Sequence, residues 1–124
     1  MAQEKQFEMQ VRDFLHQHGA WYLKYWGGGG YTKSGVPDLL VCLRGLFFGI
    51  ELKAPNGRPS PLQIRALLKI REAGGFGILL YPKDYELFTG LIDCVMNCRD
   101  ETALRLLLNQ RVDVWAKKFG LIGD

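Results

Sequence analysis

The sequence has no long apolar segment, only three cysteines and only two histidines. No run approaches the roughly 18–20 apolar residues of a membrane span. Two of the cysteines, Cys94 and Cys98, lie four residues apart in one predicted helix, which is not the pattern of a disulfide framework. The polar N-terminal region also lacks a signal-peptide pattern, so we expect a cytoplasmic protein.

What the chain does contain is enough apolar surface for one folded domain. Its 124 residues are 48% hydrophobic and 23% charged, and they include seven Phe, five Tyr and three Trp. This composition excludes a disordered chain. The net charge of +3 is unevenly placed, because residues 1–75 hold ten Lys and Arg against six Asp and Glu. The surplus suggests at most weak contact with nucleic acid.

Hydrophobic spacing and turn residues predict the order of the secondary structure. The predicted elements are a helix over 4–18, a strand over 20–26, a hairpin over 36–53, a helix from Ser60 to about Ala73, a strand over 76–81, and helices over 84–97 and 101–118. The order is α-β-β-β-α-β followed by two helices. It indicates a single α/β domain over 1–124, with a core at about 4–81 and a helical extension at about 84–119. The nearly continuous apolar runs of the hairpin predict that both of its faces are covered, with Cys42 in the core.

The hairpin brings acidic residues together. If Arg44 and Gly45 form a two-residue turn, Asp38 lies opposite Glu51, and Lys53 points to the same face. Facing carboxylates repel each other, and a hard divalent cation such as Mg²⁺ or Mn²⁺ would remove that penalty. This grouping suits phosphodiester hydrolysis. Solvated charges at a strand end explain the same spacing about equally well.

Three further features favour the site. Glu8 borders the buried stripe of the first helix and can reach the sheet, although Glu4, one turn earlier, competes with it. Gln63 begins the helix after the strand, where it also fits a capping box with Ser60. The loop before Asp38 offers Lys33 and Ser34 to a phosphate, although a plain turn explains these residues nearly as well.

In this order the motifs resemble a known family. Helical Glu8, Gly35-Val36-Pro37-Asp38, Glu51-Leu52-Lys53 and Ser60-Pro61-Leu62-Gln63 are similar to the pattern of the VRR-NUC (virus-type replication-repair nuclease) family. That family belongs to the PD-(D/E)XK nuclease superfamily. The resemblance covers residues 8–81 and implies a restriction-endonuclease-like α/β core, a mixed sheet flanked by helices.

The resemblance also implies a role for each matching residue. Glu8, Asp38 and Glu51 would bind Mg²⁺ or Mn²⁺, assisted by the backbone carbonyl of Leu52, while Lys53 would be the catalytic lysine. Gln63 would support the metal site or the phosphate.

Small standalone members resemble Holliday junction resolvases, so we expect a homodimeric endodeoxyribonuclease acting on branched DNA, with no membrane partner and no organic cofactor. The expected setting is a bacterial or phage-infected host cell. The alternatives are a flap- or end-directed nuclease of the same chemistry, or a catalytically idle DNA-binding module.

Contacts with DNA and with a second copy complete the expectations. The predicted DNA contacts are Lys24, Lys33, Ser34, Arg58, Arg65, Lys69 and Arg71, with Trp26 and Tyr31 beside the glycine loop at 27–30. The predicted dimer contacts are Phe47, Phe48, Trp115, Phe119 and the leucines of 104–108, most of which also fit a core role. The near-neutral segment after residue 75 fits packing or pairing better than DNA contact.

Overall fold

The computed structural model describes residues 2–26 and 34–123, without the side chain of Ala2. Within these ranges the helices and strands follow the predicted order. They are α1 (Ala2–Gln17), β1 (Trp21–Lys24), β2 (Leu39–Leu43), β3 (Leu46–Leu52), α2 (Pro61–Glu72), β4 (Phe76–Leu80), a 3-10 turn (Pro82–Asp84), α3 (Tyr85–Met96) and α4 (Thr102–Lys118). The predicted mixed α/β architecture is confirmed, and the observed boundaries differ from the predicted ones by at most three residues.

The strands form one mixed sheet in the order β1-β2-β3-β4. The pairs β1–β2 and β2–β3 are antiparallel, whereas β3 and β4 are parallel. A parallel pair needs a crossover connection, and α2 supplies it between β3 and β4. The ends of β3 and β4 therefore lie together at one edge of the sheet.

The β2–β3 hairpin has the predicted register. Leu43 pairs with Leu46 and Leu39 pairs with Ile50, so Arg44 and Gly45 alone form the turn. Both turn residues have positive φ, 55° and 78°, as a type I′ turn requires. This turn matches the right-handed twist of the strands and fixes which side chains share a face.

One face of the sheet packs against α1 and α3. The buried strand residues on this face alternate with those on the other, as the two-residue period of a strand requires. They meet Phe7, Val11 and Leu15 of α1 and Phe88, Leu91 and Ile92 of α3 in one continuous apolar core. Phe48 and Phe76 stack within it, with ring centroids 4.5 Å apart. The predicted apolar stripe of α1 is therefore the face that it buries.

The opposite face packs against α2 and α4 around a second, smaller core. Ile64 and Leu67 of α2 meet Leu79 of β4 and Val112 of α4 there. Helix α2 approaches the sheet closely at Gly77, where an added Cβ would lie 2.2 Å from the Leu67 carbonyl oxygen. The helical extension thus contributes to both cores: α3 packs in the first, and α4 adds Leu108 to the first and Val112 to the second.

The prediction that both faces of the hairpin are covered is wrong near its turn. Residues 48–52 of β3 are all buried, but Leu46 and Phe47 are exposed, Phe47 to 44%. Cys42, predicted to be in the core, is exposed as well. These side chains point to the α2 side of the sheet or lie at the turn, and α2 covers only β3 and β4 closely. Periodicity could not reveal this, because an apolar run looks the same whether one or both faces are covered.

None of the described helices combines the length and the apolar character that crossing a membrane requires.

Candidate active site

Asp38 and Glu51 lie side by side at the open end of the β2–β3 hairpin. Continuing the observed register by one residue pair places them opposite each other, on the face that α2 covers. The Leu52 backbone N–H donates to Asp38 Oδ2 at 2.8 Å, and the Tyr25 N–H donates to the Asp38 carbonyl oxygen at 2.9 Å. These two bonds fix Asp38 to both neighbouring strands. The predicted pair of carboxylates is therefore brought together.

Lys53 completes the group. Its Nζ lies 3.4 Å from Glu51 Oε2, and its side chain is only 14% exposed. Its backbone N–H donates to the Leu80 carbonyl at 3.0 Å, which continues the parallel β3–β4 ladder past the end of β3. The ammonium group is thus held beside the carboxylates by regular strand geometry.

The pKa of Glu51 is strongly raised. The residue is 2% exposed, and burial is the main reason that its pKa rises from the ordinary 4.5 to about 8. The neighbouring Asp38 carboxylate raises the pKa further, whereas Lys53 lowers it. A carboxylate that is costly to ionise next to a second carboxylate is an arrangement common at functional sites.

One oxygen of this pair needs a ligand. Glu51 Oε1 is buried and has no hydrogen-bond partner among the described residues. Leaving a buried polar oxygen without a partner is costly, and a hard cation would satisfy it. Asp38 and Glu51 thus fit a divalent cation of the Mg²⁺ type, which often binds one or two carboxylates and keeps several waters. Within 2–26 and 34–123, however, no group of three or more His, Cys, Asp or Glu is close enough to hold a metal.

Comparison with known proteins points to one domain type. No family model matches the chain, and the curated proteins give no match. Among solved structures, a chain described as "VRR_NUC domain" is similar to it, with a TM-score of 0.50 and 25% sequence identity. The similarity covers 64% of this chain and 82% of the other. The chain has the VRR-NUC fold. The resemblance inferred from the ordered motifs is thereby confirmed.

VRR-NUC domains are nucleases of the PD-(D/E)XK type. That Asp38, Glu51 and Lys53 hold the positions that give this type its name stays a prediction from the order of the motifs. The chemical role of each of these residues stays a prediction as well.

The contacts of Glu8 do not include Asp38 or Glu51. It forms ion pairs with Lys24, on β1, and with Arg12, one turn along α1 at 3.3 Å. Helix α1 packs on the sheet face opposite to Asp38 and Glu51. The role of Glu8 as a metal ligand stays a prediction, and it requires Glu8 to exchange these cationic partners for the metal. Glu4 lies one turn earlier on the same helix.

Gln63 forms the capping box that its position also allowed. Its Oε1 accepts from the Ser60 N–H at 2.9 Å, and its own N–H donates to Ser60 Oγ at 3.2 Å. These bonds fix the start of α2 and keep the Gln63 oxygen engaged. A contribution of Gln63 to catalysis stays a prediction without a supporting contact.

The turn before Asp38 packs against α2. Gly35 has a φ of 83°, and an added Cβ would lie 2.6 Å from the Leu62 carbonyl oxygen. The close approach that only glycine permits here is thus to the α2 backbone. Ser34 and Arg65 line an open apolar groove of about 500 Å³ between α2 and the uncovered part of the sheet, together with Lys69.

The other predicted DNA contacts differ in their surroundings. Lys24 is engaged by Glu8 and lies 5.3 Å from the centre of the exposed Trp26 ring. Arg71 pairs with Asp113 of α4 at 2.8 Å. Arg58 lies over the Trp115 ring at 5.4 Å. The predictions for Lys33, Tyr31 and the glycines at 27–30 fall outside the described residues.

Sequence reasoning missed two cations near the same sheet edge. Lys83 follows β4 in the 3-10 turn, and Arg111 lies on α4. Both line one pocket with Arg58. The parallel pairing of β3 and β4 brings Lys83 close to the Glu51–Lys53 strand, and a βαβ pattern in the sequence could have suggested this placement.

Proposed function

We propose that this chain is a Mg²⁺- or Mn²⁺-dependent DNA endonuclease that hydrolyses phosphodiester bonds, with Asp38, Glu51 and Lys53 as its central residues. The observation that carries the proposal is the buried Oε1 of Glu51 beside Asp38, which has no hydrogen-bond partner within the described residues, in a VRR-NUC fold. Two neighbouring carboxylates, one of them buried, destabilise the fold when both are ionised, and a bound cation would offset that free energy.

Asp38 and Glu51 would hold the cation, with the Leu52 carbonyl and Glu8 as further candidate ligands. When bound, such an ion supplies positive charge for a phosphate oxygen and lowers the pKa of a coordinated water. The chain's own residues do the rest. The Leu52 N–H holds Asp38 in place through its Oδ2. Lys53 holds one oxygen of Glu51 and leaves Oε1 for the ion.

Lys53 has a second part in the proposed reaction. Its ammonium group is largely shielded from solvent, where its charge acts more strongly than in bulk water. From there it orients the attacking water and offsets the negative charge that develops on the phosphate in the transition state. Removing Lys53 should therefore lower kcat far more than it weakens binding of DNA.

The finer proposal is that the substrate is branched DNA, with four-way junctions favoured and the chain acting as a homodimer. A four-way junction needs two symmetric cuts, and a two-fold pair of sites provides them. The exposed apolar side chains of Leu46 and Phe47 on the sheet, and of Leu106 and Leu107 on α4, supply surface for pairing. Phe48 and Leu108 are buried in the cores, so they leave the set of candidate dimer contacts.

The experiment is cleavage of sequence-matched linear duplex, flap and four-way DNA, with Mg²⁺, with Mn²⁺ and with EDTA. Asp38→Asn keeps a side-chain oxygen for the Leu52 N–H, and Lys53→Ala removes the ammonium group. Both variants should bind DNA in EDTA but lose cleavage by at least about a hundredfold with either ion. The control is Glu72→Gln, which changes an exposed acid at the end of α2.

Each result decides a different part of the proposal. Cleavage by both variants at the rate of the unmodified protein would refute the catalytic assignment. Preferential cutting of flaps or linear ends would replace the junction proposal with the flap- or end-directed one. DNA binding without any cutting would favour a catalytically idle module. Light scattering on the free protein and on its DNA complex tests the homodimer, which a monomer in both states would contradict.

A further inference from the structure

A basic pocket lies outside the proposed active site, at the meeting point of three parts of the fold. It has a volume of about 290 Å³. Its walls are the loop after β3, the residues after β4 and one side of α4. The charged residues that line it are Arg58, Lys83 and Arg111, and all three are cations. No carboxylate is among the lining residues, so the cavity favours an anion.

The pocket lies next to the proposed catalytic lysine, across the short loop that follows β3. Gly57, in its wall, packs so closely on the preceding turn that an added Cβ would lie 3.3 Å from the Cβ of Lys53. The carbonyl of Gly57 accepts from the Tyr81 hydroxyl at 2.8 Å, which ties this loop to the end of β4. Lys53 and the basic pocket therefore lie on the two sides of one short loop.

Two of the cations that line the pocket lie against aromatic rings. Arg58 lies 5.4 Å from the centre of the Trp115 ring, and Lys83 lies 5.7 Å from that of Tyr81. Ring faces attract cations and hold them in place, but they neutralise no charge. Lys118, one turn beyond Trp115, lies 4.6 Å from the same indole and adds to the positive potential.

Within residues 2–26 and 34–123, one of the three lining cations is paired with a carboxylate. Arg111 donates two hydrogen bonds to the buried Asp84, at 2.8 and 2.9 Å, and this pairing builds the pocket wall. Within the described residues, neither Arg58 nor Lys83 forms an ion pair with a carboxylate. The pocket thus presents about two positive charges that no described carboxylate compensates.

We propose that the pocket formed by Arg58, Lys83 and Arg111 binds a phosphate of the DNA backbone next to the phosphate that is cut at Lys53. The inference rests on the proposed nuclease function and deepens it. It makes the 3-10 turn and α4 part of the DNA interface, in contrast to the expectation that the segment after residue 75 fits packing or pairing better than DNA contact.

The test is the salt dependence of DNA binding in EDTA, where cleavage does not interfere. The variants are Lys83→Ala and Arg58→Ala, measured by fluorescence anisotropy on one labelled four-way junction and one labelled duplex. Arg111 is left intact because it neutralises buried Asp84. Each variant should weaken binding several-fold on both DNAs and reduce the slope of log K against log salt by about 1. Lys83→Arg keeps the positive charge that Lys83→Ala removes, so it should retain most of the affinity of the unmodified protein.

Lys117→Ala is the matched control. Lys117 is an exposed cation beside Lys118 on α4, and it does not line the pocket. Its removal changes net charge by the same amount as Lys83→Ala but should leave the slope unchanged. Equal effects of Lys117→Ala and Lys83→Ala would overturn the inference, because they would indicate a diffuse electrostatic effect. Circular dichroism melts of all variants verify that they are folded.

A second comparison separates the two kinds of DNA phosphate. Each variant is measured on duplexes that end in hydroxyl groups and on the same duplexes with 5′-phosphates. Equal losses on both support an internal backbone phosphate, whereas a loss confined to the phosphorylated ends overturns that assignment. Cleavage by the unmodified protein is scored separately. If it cuts no DNA while the pocket variants still change the slope, the nuclease proposal fails and the phosphate pocket stands.

Discussion

Replacing Glu51 with glutamine should stabilise the metal-free protein at neutral and alkaline pH. The unmodified side chain is buried beside Asp38, and its pKa is raised from 4.5 to about 8. Glutamine has nearly the same shape and never ionises. Its amide oxygen can face the Lys53 ammonium group, and its NH₂ can donate toward Asp38. The substitution therefore removes the cost of a buried charge while retaining the packing.

The sign and size follow from the linkage between protonation and folding. Below about pH 4.5 the carboxyl is protonated in both states, so Glu51 imposes no penalty. Between about pH 4.5 and 8 only the unfolded chain releases the proton, and the free energy of unfolding falls by about 1.4 kcal/mol per pH unit. The loss reaches about 3 kcal/mol at pH 7 and about 5 kcal/mol above pH 8. Glu51→Gln should lack this decline.

The assay is urea unfolding followed by circular dichroism at pH 5, 6, 7, 8 and 9, first in EDTA and then with Mg²⁺ or Mn²⁺. In EDTA the variant should gain stability over the unmodified protein as pH rises. Divalent ions should stabilise the unmodified protein at pH 8, because binding to the native state adds to its stability, and should affect the variant much less. Glu72→Gln, which removes an exposed carboxylate, should run parallel to the unmodified protein throughout.

The reasoning would be refuted if Glu51→Gln and the unmodified protein kept a constant difference in stability from pH 5 to pH 9 in EDTA. That outcome would mean that Glu51 is hydrated or paired in the native protein. A variant that still gains stability from Mg²⁺ as strongly as the unmodified protein would place the cation elsewhere.

Three further outcomes concern the frame around the site. Ser60→Ala removes the cap of α2 and should cost about 1 kcal/mol, or a few degrees of Tm, measured by thermal melting. Gly77→Ala forces a Cβ against the Leu67 carbonyl and should cost roughly 1–3 kcal/mol in urea unfolding. Arg111→Ala leaves the buried Asp84 carboxylate unpaired and should cost roughly 2–3 kcal/mol, part of which a second change, Asp84→Asn, should restore.

Each of these has an outcome that contradicts it. An unchanged Tm for Ser60→Ala would show that the capping box adds nothing to α2. Gly77→Ala is compared with Gly123→Ala, where an added Cβ meets no neighbour within 4 Å, and equal stability of the two would refute the close packing of α2 on β4. For the ion pair, a double variant that is less stable than Arg111→Ala alone would contradict the argument that an unpaired charge is the cause.

The carboxylate pair was predictable because it depends on local chain geometry. A turn of Arg44 and Gly45 fixes which residues face each other, and both adopt the positive φ that this turn needs. The register then follows by counting along the strands, and it brings Asp38 to Glu51. The capping box of Ser60 and Gln63 is local for the same reason.

The wider surroundings of the site were not predictable in this way. The position of Glu8 on α1 predicted a metal ligand. Its observed partners, Lys24 and Arg12, depend instead on how α1 packs on the sheet. The exposure of Cys42 and Phe47 depends on where α2 crosses the sheet. Such packing depends on contacts between residues far apart in the chain, and periodicity reports only the character of one segment.

The sequence by itself therefore determined the order of the elements, the hairpin register, the meeting of Asp38, Glu51 and Lys53, and the resemblance to VRR-NUC domains. Each rests on spacing within a segment or on motif order. Only the tertiary structure decided that Glu51 is buried, with one oxygen unpartnered in the part of the chain that the structure describes. It also decided that Lys83 and Arg111 join Arg58 in one pocket. Burial and the convergence of charges arise when separate segments pack together, because that packing removes water and sets the distances between groups.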